Sequence, residues 1–151
     1  MKQTIQLLLA ALALAGLAAA DGKSLALKDL PAPVQKAVQD NLKGGEIKNI
    51  SKEVEKGVTE YEVETMVAGK HRDFDVDANG KLVDVEEEID LATVPAAAKA
   101  AIEKKVGAGK LTRVEAVDNG SGAKSYEASF TTKAGKKSEF QVKADGTEIK
   151  E

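Results

Sequence analysis

The sequence predicts an α+β fold made of two tandem repeats, each with one helix packed on a four-stranded antiparallel meander sheet. Three observations predict it: the chain repeats itself at an offset of 64 to 66 residues, the apolar spacing within each copy changes from helical to alternating, and glycines separate the alternating segments. At an offset of 64, nine positions keep their chemical type in the second copy: Leu30, Pro31, Val34, Ala37, Val38, Leu42, Gly45, Ile47 and Ile50. A unit of this size buries little core alone, so we expect the copies to contact each other.

Each copy is predicted to open with a helix. Asp29 with Pro31, and Thr93 with Pro95, place an N-cap type of residue and a proline beside the helix start. Apolar residues then recur at helical spacing: Val34, Ala37, Val38 and Leu42 in the first copy, Ala98, Ala101, Ile102 and Val106 in the second. Glycines end both helices.

After each helix, apolar and polar residues alternate, which is typical of strands with one buried face. In the first copy the apolar members are predicted to face the helix: Tyr61, Val63, Phe74, Val76, Val83 and Val85. Turn sequences such as Ala78-Asn79-Gly80 and Ala144-Asp145-Gly146 predict tight connections between the strands.

The first twenty residues predict a secretory signal peptide. Lys2 precedes an apolar run from Ile5 to Leu17, and Ala18 to Ala20 fit a small-residue cleavage site. We therefore expect a signal peptide at 1–20, a flexible segment at 21–28, the first repeat at 29–88 and the second at 89–151. The mature protein is expected in the periplasm or outside a bacterial cell, with no membrane span after cleavage. Since the chain has no cysteine, burial and strand pairing must hold it together.

The motifs of the first copy resemble those of the PepSY-like family of small exported bacterial domains. The resemblance is carried by the helix that opens with Leu30-Pro31, the strand Tyr61-Glu62-Val63, the turn Gly69-Lys70 and the hairpin from Phe74 to Gly80. That family is similar in fold to beta-lactamase inhibitory protein (BLIP), a tandem of two such units. The resemblance implies a non-catalytic exported binding or inhibitory module with an open sheet face.

One segment matches the pattern of a calcium-binding EF-hand loop. Asp75, Asp77, Asn79 and Glu86 stand at ligand positions of the twelve-residue loop, with Gly80 at its glycine position. The flanking residues alternate with a period of two, and the second copy keeps the turn but loses the ligands. Both facts favour a hairpin turn, and a calcium site built from these residues remains the alternative.

Charge is unevenly distributed between the copies. Residues 46–90 contain fourteen Asp and Glu against six Lys and Arg, a net charge of −8, whereas residues 110–151 contain seven against eight. Strand alternation places seven of these acids together on the face away from the helix: Glu62, Glu64, Asp73, Asp75, Asp77, Asp84 and Glu86. Such a face predicts either solubility or a docking surface for a basic partner or for divalent cations.

No catalytic set of residues emerges from the sequence. His71 is the single histidine, expected in a solvated loop, and cysteine is absent, so neither a nucleophile with its base nor a usual zinc site can be assembled. Acids on an open sheet are expected to stay hydrated, with ordinary pKa values. The acidic balance disfavours nucleic acid. The sequence thus predicts a non-enzymatic protein that binds another envelope or secreted protein with a basic surface; the alternative is a calcium-binding or buffering protein.

Overall fold

A computed structural model describes residues 24–55 and 57–150 of the chain. The predicted signal peptide and residues 21–23 of the predicted flexible segment lie outside the described residues. The rest of that segment is described, and the Leu25 N–H donates to the Ile50 carbonyl oxygen at 2.9 Å. Within them, no helix is long and apolar enough to cross a membrane.

In these described residues, two α-helices and seven strands form the fold. The helices are α1 (Ala32–Asn41) and α2 (Ala96–Val106). The strands are β1 (Glu46–Glu55), β2 (Val58–Val67), β3 (Lys70–Asp77), β4 (Leu82–Glu88), β5 (Lys110–Asp118), β6 (Ser125–Thr131) and β7 (Lys137–Lys143). They make one antiparallel sheet in the order of the chain, from β1 to β7. The predicted α+β class with an antiparallel sheet is confirmed.

Each helix begins after a proline and not after the predicted capping residue. Asp29 and Thr93 instead end short 3₁₀ helices, Leu27–Asp29 and Leu91–Thr93, and neither N-cap position carries a side-chain hydrogen bond. Pro31 and Pro95 hold the N-cap positions, and their carbonyl oxygens accept hydrogen bonds from the N–H groups of Gln35 and Lys99, both at 2.9 Å. A proline loses nothing there because helix-start N–H groups have no partner within the helix.

The helices lie on one side of the sheet, above two apolar clusters. Ile50, Tyr61, Val63, Phe74 and Val76 pack with buried residues of α1. The second cluster joins α2 to β5, β6 and β7 and is made of Val94, Ala98, Ile102, Val114, Ala128, Phe130, Phe140 and Val142. The apolar strand residues that the sequence predicts to face the helix therefore do so, with one exception. Val83 is absent from the first cluster and lies beside an irregularity in the β3–β4 register.

The second half has three strands where four were predicted. After β7 the chain turns back and forms a single bridge between Val142 and Glu148, with the Ile149 N–H donating to the Gln141 carbonyl oxygen at 2.9 Å. The segment that follows Gly146 lacks the alternating valines of β4, so it offers no apolar row for the helix to cover.

The two halves are joined by pairing between β4 and β5. Four residue pairs make this seam: Val85 with Asp118, Glu86 with Val117, Glu87 with Ala116, and Glu88 with Glu115. The next step along the chain continues the ladder, because the Ile89 N–H donates to the Val114 carbonyl oxygen at 2.9 Å. The result is a continuous sheet, and both α-helices of the described chain lie on the same surface of it.

Candidate functional site: an acidic sheet face

The sheet surface away from the helices carries a concentration of carboxylates, which we call the acidic face. Because successive side chains of a strand point to opposite sides, the residues between the helix-facing ones share this surface. Nine of its members come from five neighbouring strands: Glu62, Glu64, Asp73, Asp75, Asp84, Glu86, Glu88, Glu115 and Glu127. The acidic face thus crosses the seam between the two halves.

The register of the sheet places carboxylates directly opposite one another. Glu62 lies opposite Asp75, and Asp75 lies opposite Asp84 on its other side. Asp73 lies opposite Glu86. Across the seam, Glu115 lies between Glu88 and Glu127. Directly opposed side chains are separated by only about 5 Å at Cβ, so these rows bring like charges within strong repulsion.

Many of these carboxylates are buried, which corrects the expectation of a hydrated face. Asp75 is 5% exposed, Glu86 8% and Glu115 1%, and Asp73, Asp84 and Glu127 are buried as well. A crowded sheet surface shields its central residues because neighbouring long side chains cover them. The alternation in the sequence shows which side chains share a face of the sheet. It does not show how far neighbouring side chains shield them from solvent.

Burial and mutual repulsion raise the pKa values of two of these carboxyl groups well above the ordinary values that the sequence predicts. Burial, with the nearby Asp84 and Glu62 carboxylates, raises the pKa of Asp75 to about 9. Burial, with Glu127 and Glu115 nearby, raises the pKa of Glu86 to about 10. Carboxyl groups with such pKa values hold protons at neutral pH.

Four further members show smaller shifts in the same direction. Burial and the Glu60 carboxylate raise the pKa of Asp84 to about 6, although the backbone N–H of Asp75 donates to it. Burial raises the pKa of Glu115 to about 7, opposed by the Arg113 guanidinium. Burial also raises the pKa of Asp73 and that of Glu62.

One arginine of the second half lies on this surface. Arg113 Nε is 3.0 Å from Glu115 Oε2, and Arg113 Nη1 is 4.0 Å from Asp73 Oδ2. Neither Arg113 Nε nor Glu115 Oε1 has a hydrogen bond of good geometry among the described residues, and both atoms are buried. The acidic face therefore already holds one cationic side chain and retains a buried carboxylate oxygen without a donor.

Hydrogen bonds fix several members at the margin of the face. Asn49 Nδ2 donates to Glu64 Oε1 at 3.0 Å, and Ser51 Oγ donates to Glu62 Oε2 at 3.1 Å. The His71 N–H donates to Glu88 Oε2 at 3.0 Å. His71 lies in strand β3 and not in a loop, with its Nδ1 3.8 Å from Asp73 Oδ2.

The calcium-like residues form a β-hairpin, as the strand alternation favoured. Asp77 Oδ1 accepts hydrogen bonds from the N–H groups of Asn79 at 2.8 Å and Lys81 at 2.9 Å, so this carboxylate is used inside the turn. Asp75 and Glu86 lie on the acidic face, away from that turn. In the part of the chain that the structure describes, no group of three or more His, Asp or Glu side chains is placed to hold a metal ion.

The sequence pattern identified six of these nine members of the acidic face and missed Glu88, Glu115 and Glu127. The seventh predicted residue, Asp77, lies opposite Glu60 at the hairpin end of β3, where its carboxylate accepts hydrogen bonds within the turn. One signal was present: the repeat aligns Tyr126-Glu127 with Tyr61-Glu62, which places Glu127 on the same side of its sheet as Glu62. The pairing of β4 with β5 joins different repeats, so local alternation could not reveal that Glu115 lies beside Glu86.

No protein-family model matches the sequence, and no curated protein sequence matches it, so the resemblance to the PepSY-like family stays a prediction. Solved structures share the fold. A candidate periplasmic protein from Bacteroides eggerthii superposes with a TM-score of 0.61 at 16% identity, over 80% of this chain and 86% of that one. A DUF2874 family protein from Bacteroides uniformis gives 0.60 at 15% identity, over 80% and 86%.

A BLIP-like protein from Bacteroides fragilis superposes with a TM-score of 0.52 at 16% identity, over 80% of this chain and 84% of that one. At these identities the likeness concerns the fold alone. This chain thus has the fold of a DUF2874 family protein and of a BLIP-like protein.

Proposed function

We propose that this chain is an exported, non-enzymatic binding protein whose acidic face docks a basic surface of another envelope or secreted protein. The observation that carries the proposal is the series of carboxylates across β2 to β6 on the side of the sheet that the helices leave open. Grouping like charges costs stability. A partner with opposite charge would offset this cost when it docks.

The shared fold supports the proposal. One similar structure is named as a BLIP-like protein and another as a candidate periplasmic protein. We extend both properties to this chain as part of the proposal: export by the segment 1–20, and binding of a protein, with inhibition of an enzyme as one form of it.

The non-enzymatic part of the proposal rests on the kinds of residue on the face. Carboxylates and one arginine predominate there, and the nearest imidazole, that of His71, lies against Asp73 at the margin. The raised pKa of Asp75 to about 9, caused chiefly by burial, would suit a general acid. A carboxyl group that is 5% exposed has little access to a substrate.

A capture experiment with neutralised variants tests the proposal. The mature chain, residues 21–151, is immobilised and exposed to an envelope extract, and the captured protein is then purified. The variant carries Glu62→Gln, Glu64→Gln and Glu88→Gln, because each residue accepts a hydrogen bond that a glutamine oxygen can still accept. We expect affinity for the captured protein to fall about tenfold, or about 1.4 kcal/mol, and to weaken with salt.

The matched control removes charge from the opposite side of the molecule. Asp40→Asn and Glu103→Gln neutralise exposed acids of α1 and α2 that form ion pairs within their helices. This control should bind as the unmodified chain does. Equal loss in both variants, or none in either, contradicts docking on the acidic face.

A further inference from the structure

In two rows on the acidic face, carboxylates lie directly opposite one another on neighbouring strands. The first row runs from Glu62 through Asp75 to Asp84, and the second runs from Glu88 through Glu115 to Glu127. Two carboxylates at direct cross-strand spacing, shielded from water, cannot both keep their charge at low cost, so one of them takes up a proton.

A separate observation shows a site for positive charge within this arrangement. The side chain of Glu115 is 1% exposed, and its Oε1 atom has no hydrogen-bond partner among the described residues. Its other oxygen already lies 3.0 Å from the guanidinium of Arg113. A buried polar atom without a partner costs about 1–3 kcal/mol, so this end of the face gains from additional positive charge or donors.

Every element around Glu86 contributes a charged group. Asp84 and Glu88 flank it on β4, Asp73 and Asp75 lie on β3, Arg113 and Glu115 on β5, and Glu127 on β6. Glu139 on β7 adds a further carboxylate near Glu115. Arg113 is the one cation in this group, so carboxylates outnumber the positive charge around Glu86.

We infer that docking of a cationic protein surface releases protons from the acidic face, so that the partner is held more tightly as the pH rises. The inference rests on the proposed function and adds its regulation. Cations placed above the face favour the ionised carboxylates, and the protons that these carboxylates shared leave to the solvent. In support, burial raises the pKa of Asp75 to about 9 and that of Glu86 to about 10, so both groups carry protons to release near neutral pH.

Titration calorimetry with a peptide of eight lysines tests the inference on the mature chain. Binding is measured at pH 7 in two buffers of different ionisation enthalpy, and the difference in heat gives the number of protons released. Affinity is then measured from pH 5.5 to 8.5. We expect at least one proton per bound peptide, and about a tenfold rise in affinity per pH unit for each proton released.

Two variants locate the source of the protons. Glu86→Gln and Glu115→Gln keep the shape of the side chain but cannot ionise, so they should bind the peptide with fewer protons released. Glu103→Gln on α2, which lies on the other side of the sheet, should leave the proton count unchanged. Both substituted chains lose a like-charge contact, and a glutamine oxygen at position 115 can still lie against the Arg113 guanidinium, so we expect both to fold, as circular dichroism would show.

The outcomes separate the two proposals. Binding with the same heat in both buffers and the same affinity at every pH overturns proton release while leaving docking intact. An unchanged proton count in both Glu86→Gln and Glu115→Gln overturns the assignment to this cluster. Absence of any peptide binding contradicts docking of a basic partner itself, and with it the inference.

Discussion

Individual carboxyl groups of the acidic face tie the stability of the protein to pH in an unusual direction. A carboxyl group whose pKa is higher in the folded than in the unfolded chain binds more protons when folded. Its stabilising effect is complete below its unfolded pKa, near 4, and is lost as the pH rises through its folded pKa. Burial raises the pKa of Asp84 to about 6, Glu115 to about 7, Asp75 to about 9 and Glu86 to about 10, which sets the window.

We therefore predict that the mature chain is more stable at pH 5 than at pH 9. Within the window, the loss is about 1.4 kcal/mol per pH unit for each proton that the folded chain holds in excess of the unfolded chain. Urea unfolding at several pH values measures the change. A free energy of unfolding that increases from pH 5 to pH 9 would contradict the raised values.

A single substitution should weaken this dependence. We predict that Asp75→Asn raises the free energy of unfolding at pH 8 by about 1–3 kcal/mol, because an amide cannot ionise between Glu62 and Asp84. Asp40→Asn, at an exposed site on α1, is the control and should change stability by under about 0.5 kcal/mol. A loss of stability in Asp75→Asn contradicts the repulsion proposed here.

At the scale of the elements, the same close approaches hold helix to sheet in both halves. Gly80, in the turn between β3 and β4, has φ of +83°, and a Cβ there would lie 2.5 Å from the carbonyl oxygen of Pro33. Gly146 has φ of +84°, and its Cβ would lie 2.8 Å from the carbonyl oxygen of Ala97. Each turn therefore fits against the first turn of its helix only as glycine.

We predict that Gly80→Ala destabilises the chain by about 1–3 kcal/mol more than Gly69→Ala. Both residues have φ of +83°, so both substitutions carry the same strain of about 1 kcal/mol. No atom lies within 4 Å of the Cβ position at Gly69, whereas Pro33 blocks that position at Gly80. Thermal unfolding of the pair isolates the clash, and equal losses would show that the helix can move aside.

The elements also show what the sequence could and could not predict. Helical spacing from Val34 to Leu42 and the alternation around Tyr61 and Phe74 predicted α1 and its strands because one buried face leaves a local pattern. The contact of Arg72 left no such pattern. Its Nη1 donates to the Asn41 carbonyl oxygen at 2.8 Å, and its guanidinium lies 5.6 Å from the Phe74 ring centre. Residue 72 meets residue 41 only through the tertiary fold.

The second half has a different contact at the C-terminal end of its helix. The repeat aligns Arg72 with Ser138, which is too short for the same bond. There Lys105, from α2, lies 4.7 Å from the Phe140 ring centre and 3.1 Å from Glu148 Oε1. Both halves thus place a cation near the aligned phenylalanine. In the first half the cation comes from the sheet, and in the second it comes from the helix.

At the scale of the whole molecule, the seam between β4 and β5 decides whether the halves unfold together. Glu88 and Glu115 face each other there, and Glu86 and Glu127 lie beside them. Burial raises the pKa of Glu115 to about 7, so this group holds a proton at pH 5 and the seam continues the sheet. At pH 9 Glu115 is ionised opposite Glu88, which sets repulsion across the line that joins the halves.

We predict one unfolding transition at pH 5 and two separated transitions at pH 9. The chain has two tyrosines and no tryptophan, with Tyr61 in the first half and Tyr126 in the second. Tyrosine fluorescence of Tyr126→Phe therefore reports the first half, and that of Tyr61→Phe reports the second. Coincident midpoints at both pH values would contradict a seam weakened by charge, and separated midpoints at pH 5 would contradict cooperation between the halves.

The glycine turns that meet Pro33 and Ala97 also bear on how this architecture could diverge or be redesigned. They fix the helix side of both halves by backbone contacts that tolerate no added atom. Substitutions on the opposite side of the strands leave those contacts untouched, so new surfaces can arise there while the framework is retained. A library that varies the residues of β2, β3, β6 and β7 on the side away from the helices would yield new binding proteins on an unchanged scaffold.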